Sequence, residues 1–130
     1  MTLLGGVWVA INGILSAFAA RIAPLNVNYA FRLWRGDAVY PYWVSDISTT
    51  LHAFEDGSTT GRITLQGWTR GDMQAFLSEA QRIAKQFDGY TTAENGFGCA
   101  IDYASMQNVP QADVELQSVI MYFDFKTWEV

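Results

Sequence analysis

The chain has 130 residues, the length of one typical domain, and a core of that size needs neither a disulfide nor a metal to be stable. Only 16% of the residues are charged, against roughly 25% in soluble domains, while 15% are aromatic and 50% hydrophobic. A net charge of −5 without any basic cluster excludes the electrostatic footprint of a nucleic-acid-binding protein. So few charges favour either a surface buried against other subunits or a core rich in aromatic residues.

The first predicted element is a helix from about Leu3 to Ala23, which ends before Pro24 because proline disfavours helix at the preceding residue. Its large apolar side chains are spaced alternately by four and three residues and form a stripe, with small residues around it. A signal or anchor segment is the alternative. However, no Lys or Arg precedes the apolar run, and Gly, Asn and Ser dilute it. We therefore expect a buried core or interface helix.

An aromatic segment follows, and residues 24–38 are predicted to be a connecting arm. Strand one covers about Tyr40–Ile47, and an extension over Leu51–Phe54 is compatible with the pattern. The segment Glu55–Thr60 has the composition of a turn, in which Gly57 suits a positive φ.

Two regular elements are predicted in the middle of the chain. Strand two, Gly61–Thr69, alternates between apolar and polar residues, with Ile63 and Leu65 on one side. Helix two spans about Asp72–Phe87 with one apolar face, and either Asp72 or Thr69 is its expected N-cap. Asp88 and Gly89 are expected to end it.

The last two strands are predicted at Phe97–Met106 and Val114–Thr127, joined by a polar loop over residues 107–113. The final strand is apolar on both faces, whereas a strand of an antiparallel sheet usually has one face in water. Its second face must therefore be covered by a helix or by another subunit.

These elements predict an α+β fold, a two-layer sandwich in which a mostly antiparallel four-stranded sheet packs with two helices. We expect one domain over residues 1–130. It consists of an N-terminal helix (1–23), the connecting arm (24–38) and the sheet with the second helix (39–130).

The sequence offers little for catalysis. His52 is the single histidine and could pair with Asp46 or Asp56, but an exposed or capping imidazole is the stronger interpretation. Cys99 stands alone among apolar neighbours, which favours a buried, inert thiol and a reducing compartment. One His, one Cys and scattered carboxylates do not make a metal site. We expect no enzymatic activity, no catalytic residues, no cofactor and no metal.

Aromatic residues give the better functional signal, because interface cores are rich in aromatic side chains, and hot spots in Trp, Tyr and Arg. The alternative is a small core that uses large residues, where we place Trp43 and Phe123. The candidates for contacts between subunits are Trp8, Phe31, Trp34, Arg35, Trp68 and Tyr122. The candidates for loops that face other partners are Glu55, Asp56, Gln107, Asn108 and Gln111.

Several motifs occur in an order that resembles a known family. Tyr40-Pro-Tyr-Trp-Val44 precedes Glu55-Asp-Gly57 and then Ile63-Thr-Leu-Gln-Gly-Trp-Thr-Arg-Gly71. After helix two come Asn95-Gly-Phe-Gly-Cys-Ala-Ile-Asp-Tyr-Ala104, a turn at Pro110, Asp113-Val-Glu-Leu116, an apolar strand and Lys126-Thr-Trp-Glu-Val130. Over residues 38–130 this order resembles the tail-terminator (tail-completion, head-tail joining) proteins of long-tailed bacteriophages.

The resemblance implies a structural virion protein in a six-membered homo-oligomeric ring on the head-proximal end of the tail tube. Such a ring ends tube polymerisation and offers a docking surface to the head. The implied partners are other copies of the chain, the tail tube protein and a head connector or neck protein, and no membrane. DNA would pass through the lumen without specific binding. The implied location is the virion tail, with assembly in the host cytoplasm.

The first 37 residues match this family only in being helical, and both helix one and the arm are longer than the resemblance suggests. Another neck or minor tail protein of a phage is therefore an alternative. A small membrane-associated protein and a ligand-binding α+β domain with a pocket near His52 are the more distant ones.

Overall fold

The computed structural model describes residues 3–47, 52–54, 58–94 and 97–129, with the side chains of 3–12, 52, 53, 94, 97 and 129 outside the description. Its elements follow the chain in a simple order. They are α1 (Leu3–Ile22), a 3₁₀ turn (Ala23–Leu25), β1 (Asn28–Phe31), β2 (Tyr42–Ile47), β3 (His52–Ala53), β4 (Thr59–Thr69), α2 (Met73–Gln86), β5 (Tyr90–Glu94), β6 (Phe97–Val109) and β7 (Gln117–Glu129).

The strands form one curled, mixed sheet with the order β1-β2-β4-β7-β6-β5, and the short β3 also pairs with β4. β1 runs parallel to β2, and every other pair is antiparallel. The described residues are thus α+β with two helices, as predicted, but the prediction of a two-layer sandwich built on a four-stranded antiparallel sheet is wrong.

The two missed strands, β1 and β5, explain the error. β1 has only four residues and lies inside the segment predicted to be an irregular arm, so its alternation is too short to stand out. β5 is Tyr-Thr-Thr-Ala-Glu, and as an edge strand it needs no continuous apolar face. Both strands depend on partners that are distant or follow later in the chain, which local composition does not reveal.

Both helices pack on the same face of the sheet, called here the inner face. Phe18 of α1 stacks on Phe87 with ring centroids 4.7 Å apart and meets Phe123 of β7 at 5.2 Å. Phe76 of α2 stacks on Trp43 of β2 at 5.0 Å. The core is completed by buried side chains from both helices and from β4, β6 and β7, which include Ile14, Ile22, Ile63, Leu65, Ala80, Ile83, Cys99, Ile101, Val119, Met121 and Phe125.

The ends of the helices agree with the sequence. α1 stops at Ile22, and the 3₁₀ turn contains Pro24. Asp72 is the N-cap of α2, since its Oδ1 accepts hydrogen bonds from the backbone N–H of Gln74 at 2.9 Å and of Ala75 at 3.2 Å. Asp72 rather than Thr69 is therefore the cap.

Gly67 of β4 allows a close approach inside the core. It pairs with Trp43 of β2, and a Cβ at this position would overlap the indole ring. The absence of a side chain lets the fully buried Trp43 lie flat over β4 and reach Phe76.

Candidate functional site

The face of the sheet opposite the helices, called here the outer face, is the candidate interaction surface. It carries the alternate residues of β2, β4 and β7 that the inner face does not use. Cross-strand pairs on this face include Tyr42 with Trp68, Gln66 with Ile120, Thr64 with Tyr122 and Arg62 with Asp124. No helix of the described residues packs on it.

An aromatic cluster, consisting of Trp34, Tyr40, Tyr42 and Trp68, occupies one end of the outer face. Tyr42 lies at its centre and stacks on Trp68, with the two ring centroids 5.1 Å apart. The ring centroids of Trp34 and Tyr40 lie 5.2 Å and 5.6 Å from that of Tyr42. Burial, and then the neighbouring Tyr40, raise the pKa of Tyr42, so this phenol stays neutral and contributes a flat apolar surface. The arm after β1 therefore folds back over its own sheet through Trp34.

Trp34 is held in place by its own loop, because its Nε1 donates to the backbone oxygen of Asp37 at 3.0 Å. Asn28 anchors the other end of the arm through hydrogen bonds to the backbone oxygens of Val39 and Pro41 at 3.3 and 3.0 Å. The aromatic cluster is consequently a fixed surface feature.

A polar cluster, consisting of Arg62, Gln107, Tyr122 and Asp124, also lies on the outer face, further along the strands than the aromatic cluster. The Arg62 guanidinium donates to Asp124 at 2.8 Å and lies 5.2 Å from the ring centroid of Tyr122. The hydrogen bond to Asp124, and then its charge, raise the pKa of Arg62. Gln107 Nε2 donates to the Tyr122 hydroxyl at 3.3 Å. These contacts orient Tyr122 and leave the cluster without net charge.

The loop of residues 110–116, between β6 and β7, is tied to the aromatic cluster by Arg70. Its guanidinium donates to Asp113 at 2.6 Å and to the Tyr40 hydroxyl at 3.4 Å. The hydrogen bond from Arg70, followed by one from the backbone N–H of Glu115, lowers the pKa of Asp113. The loop thus carries an ionised carboxylate that is already paired.

The predicted interface residues are not all on one surface. Trp34 and Trp68 come together around Tyr42, and Tyr122 lies on the same face. Phe31 is 43% exposed but pairs with Ser45, which places it on the inner face. Arg35 is exposed, and the side chain of Trp8 lies outside the described residues.

The predicted partner-facing loops are also only partly visible. Glu55 and Asp56 lie outside the described residues. Gln107 and Asn108 belong to β6, which extends to Val109, so they are strand residues and not loop residues as predicted. Gln111 folds back on its own loop and donates to the backbone oxygens of Val109 and Pro110.

Sequence reasoning missed Tyr42, Arg62 and Arg70 as members of this surface. The alternation of β4 already places Arg62 on the same face as Trp68, so that signal was present. The pairing of Tyr42 with Trp68 and the ion pair between Arg70 and Asp113 depend on tertiary register and had no local signal.

The residues considered for catalysis are placed as follows. His52 lies in β3, with its side chain outside the description, and Cys99 is buried, which raises the pKa of its thiol. The structure also brings together two carboxylates that the sequence analysis did not single out: Asp102 and Asp124 are cross-strand partners. Asp102 accepts a hydrogen bond from the backbone N–H of Gly89, and Asp124 accepts one from Arg62. Among the described residues no group of His, Cys, Asp or Glu could hold a metal ion.

A cavity of about 300 Å³ opens between the end of β4 and the start of α2. Tyr40, Arg70, Asp72 and Glu79 contribute its polar lining, and Glu79 accepts a hydrogen bond from Trp43 Nε1 at 2.7 Å. His52 pairs with Thr60 at the opposite end of β4 from this cavity. The described cavity is therefore not the pocket that a ligand-binding domain would place near His52.

Comparison of the sequence with models of protein families and with curated proteins finds no match. In the part of the chain that the structure describes, no helix has the length and hydrophobicity to span a membrane.

Proposed function

We propose that this chain is a structural subunit of a phage tail. In this proposal, six copies form a ring that caps the tail tube at its head-proximal end, ends tube polymerisation and provides the surface on which the head docks. The family is proposed because the motifs over residues 38–130 resemble those of tail terminators. The outer face of the sheet is the structural observation that supports it.

The outer face supports an interaction role because both described helices pack on the inner face. It presents aromatic side chains that are only half-buried, Trp34, Tyr42, Trp68 and Tyr122, next to the half-buried Ile120. Interfaces between proteins are enriched in such aromatic residues. A second protein that covers this face would bury apolar surface without disturbing the core.

The charge of the chain is compatible with a ring through which DNA passes. Its net charge is −5, and two of its arginines on or beside the outer face are paired with carboxylates, Arg62 with Asp124 and Arg70 with Asp113. A lumen lined by neutral or acidic groups does not bind the phosphate backbone of DNA, because such binding depends on unpaired cationic side chains.

The proposal is tested by adding the purified chain to growing tail tubes of the phage that encodes it and measuring tube lengths by electron microscopy. A terminator stops growth and leaves a ring of extra density at one end of each tube. The variant W68A should cap less well, because it removes half of the central stack. Q81A is the control, because Gln81 is exposed on α2, which packs on the inner face.

Tubes that grow to the same length with and without the chain would contradict the proposal. A neck or minor tail protein, the alternative, would form rings or bind finished particles but would not limit tube growth.

A further inference from the structure

The curled sheet ends at β1 on one side and at the short β5 on the other, and β6 extends beyond β5. β1, Asn28–Phe31, pairs only with β2; we call it the β1 edge. On the other side, β5 pairs with β6 only as far as Ile101, so the end of β6 has no strand partner there among the described residues. Tyr103 N–H still donates to Phe87. The free part is therefore residues 104–109, about 20 Å of extended chain, which we call the β6 edge.

Neither edge is protected against pairing by charged residues or prolines. Exposed edge strands normally carry charges or prolines, or they are distorted by bulges. Neither edge contains a charged residue or a proline, and the bulge of β6 lies only at its start, between Tyr103 and Ser105. Each edge instead exposes a large apolar side chain, Phe31 at 43% and Met106 at 37%. Leu33, just after the β1 edge, is 62% exposed.

The topology makes the two edges complementary. Along the sheet, β1, β2 and β7 run in one direction, and β4 and β6 run in the other. When a second copy continues the sheet in the same orientation, its β6 edge lies antiparallel to the β1 edge. Antiparallel pairs are the more stable kind.

The side chains of the two edges also match. Phe31 pairs with Ser45 and Met106 with Met121, so both lie on the inner face. In a continued sheet they would share one face, where methionine sulfur and an aromatic ring make favourable contacts. The opposite face would carry the small Ala30 and Ser105.

We propose that the β1 edge of one copy pairs antiparallel with the β6 edge of the next copy, so that the sheets of successive subunits continue around the ring. This inference rests on the ring of the proposed function and names the surface that builds it. Because the two edges differ, the contact is head to tail, and a rotation that closes gives a ring.

Charge substitutions test this contact. F31K and M106K each place a charge on one edge and should raise the concentration needed for half-assembly by about tenfold or more. V114K is the matched control, because Val114 is 89% exposed in the loop of residues 110–116 and should assemble like the wild type. Mass is measured by light scattering over a concentration series, and circular dichroism confirms that each variant is folded.

Cross-linking distinguishes head-to-tail pairing from two-fold pairing. In a C99A background, F31C and M106C are made separately and together and treated with a short bis-maleimide. Head-to-tail pairing predicts no dimer from either single variant, a dimer from their mixture and a ladder up to the ring from the double variant. Dimers from one single variant alone would show that like edges meet and would overturn the inference. A wild-type chain that stays monomeric up to its solubility limit would overturn it too.

The two proposals fail separately. If the chain caps tubes but the double variant gives no ladder, the edge contact is wrong and the terminator role stands. If the ladder forms but tube growth is not limited, the edge contact stands and the terminator role is wrong.

Discussion

At the scale of single residues, Gly67 is the position where an added methyl group has the clearest consequence. A Cβ there would overlap Trp43, which cannot move aside because it stacks on Phe76 and donates to Glu79 at 2.7 Å. We expect G67A to lower the free energy of unfolding by about 1–3 kcal/mol, as overpacked cores do. Urea denaturation followed by tryptophan fluorescence measures this loss.

Gly71 provides the control for the same substitution. A Cβ at Gly71 would meet no heavy atom within 4 Å. G71A should therefore change the free energy of unfolding by less than about 0.5 kcal/mol. Equal losses for G67A and G71A would mean that backbone freedom, and not the contact with Trp43, decides the effect.

Asp113 is the residue whose titration reports the loop contact. Arg70, and then the N–H of Glu115, hold the pKa of its carboxyl below the usual value. A lowered pKa in the folded state means that the linked stability is present above the unfolded pKa and is lost as the pH falls through the folded one. R70Q should raise the titration midpoint of Asp113, measured by carboxyl-carbon NMR, and reduce the stability that this group loses on acidification.

R62Q is the control for the effect of removing a positive charge. Arg62 is paired with Asp124 and makes no hydrogen bond to Asp113. The Asp113 midpoint should stay where it is in the wild type. A similar rise in both variants would point to the overall charge of the chain instead of the hydrogen bond from Arg70.

At the scale of elements, α2 depends on its first turn. Asp72 satisfies two backbone N–H groups that would otherwise lack partners. We expect D72A to cost about 1 kcal/mol of unfolding free energy, the usual value for a lost cap. D88A, just beyond the other end of the helix, should be neutral or slightly stabilising, because a negative charge near a helix C-terminus is unfavourable. Urea denaturation of both variants tests the difference. Equal losses would show that the cap contributes nothing specific.

The sequence predicted those parts of the fold that depend on neighbouring residues and missed those that depend on distant ones. The apolar face and cap of α2, the end of α1 before Pro24 and the alternation of β4 are local, and the structure confirms them. β1 and β5 were missed because each is a short edge strand stabilised by its neighbours.

The candidate surface was predictable to the same degree. A period of two residues places Arg62 and Trp68 on one face of β4 without any tertiary information. The sequence could not show that the ring of Trp34 lies 5.2 Å, centroid to centroid, from that of Tyr42, because residues 32–41 follow no regular pattern. Phe31 is an aromatic residue of the kind common in interfaces, but its pairing with Ser45 places its side chain on the inner face.

At the scale of the whole molecule, the two faces of the sheet differ in how much of their aromatic side chains is exposed to water. The helices cover the centre of the inner face, where the side chains of Trp43 and Phe123 have no exposure. The outer face keeps Trp68 and Tyr122 partly in water. Assembly through the outer face would therefore change the environment of one set of aromatic residues and leave the other set as it is.

Hydroxyl-radical footprinting before and after assembly on tail tubes measures this difference. We expect the oxidation of Trp68 and Tyr122 to slow on assembly, because a partner that covers the outer face removes their contact with water. Trp43 is the internal control, since it is fully buried in the free chain and should be protected in both states. Protection of Phe31 and Met106 with unchanged Trp68 and Tyr122 would show that the sheet edges carry the assembly and that the outer face stays free.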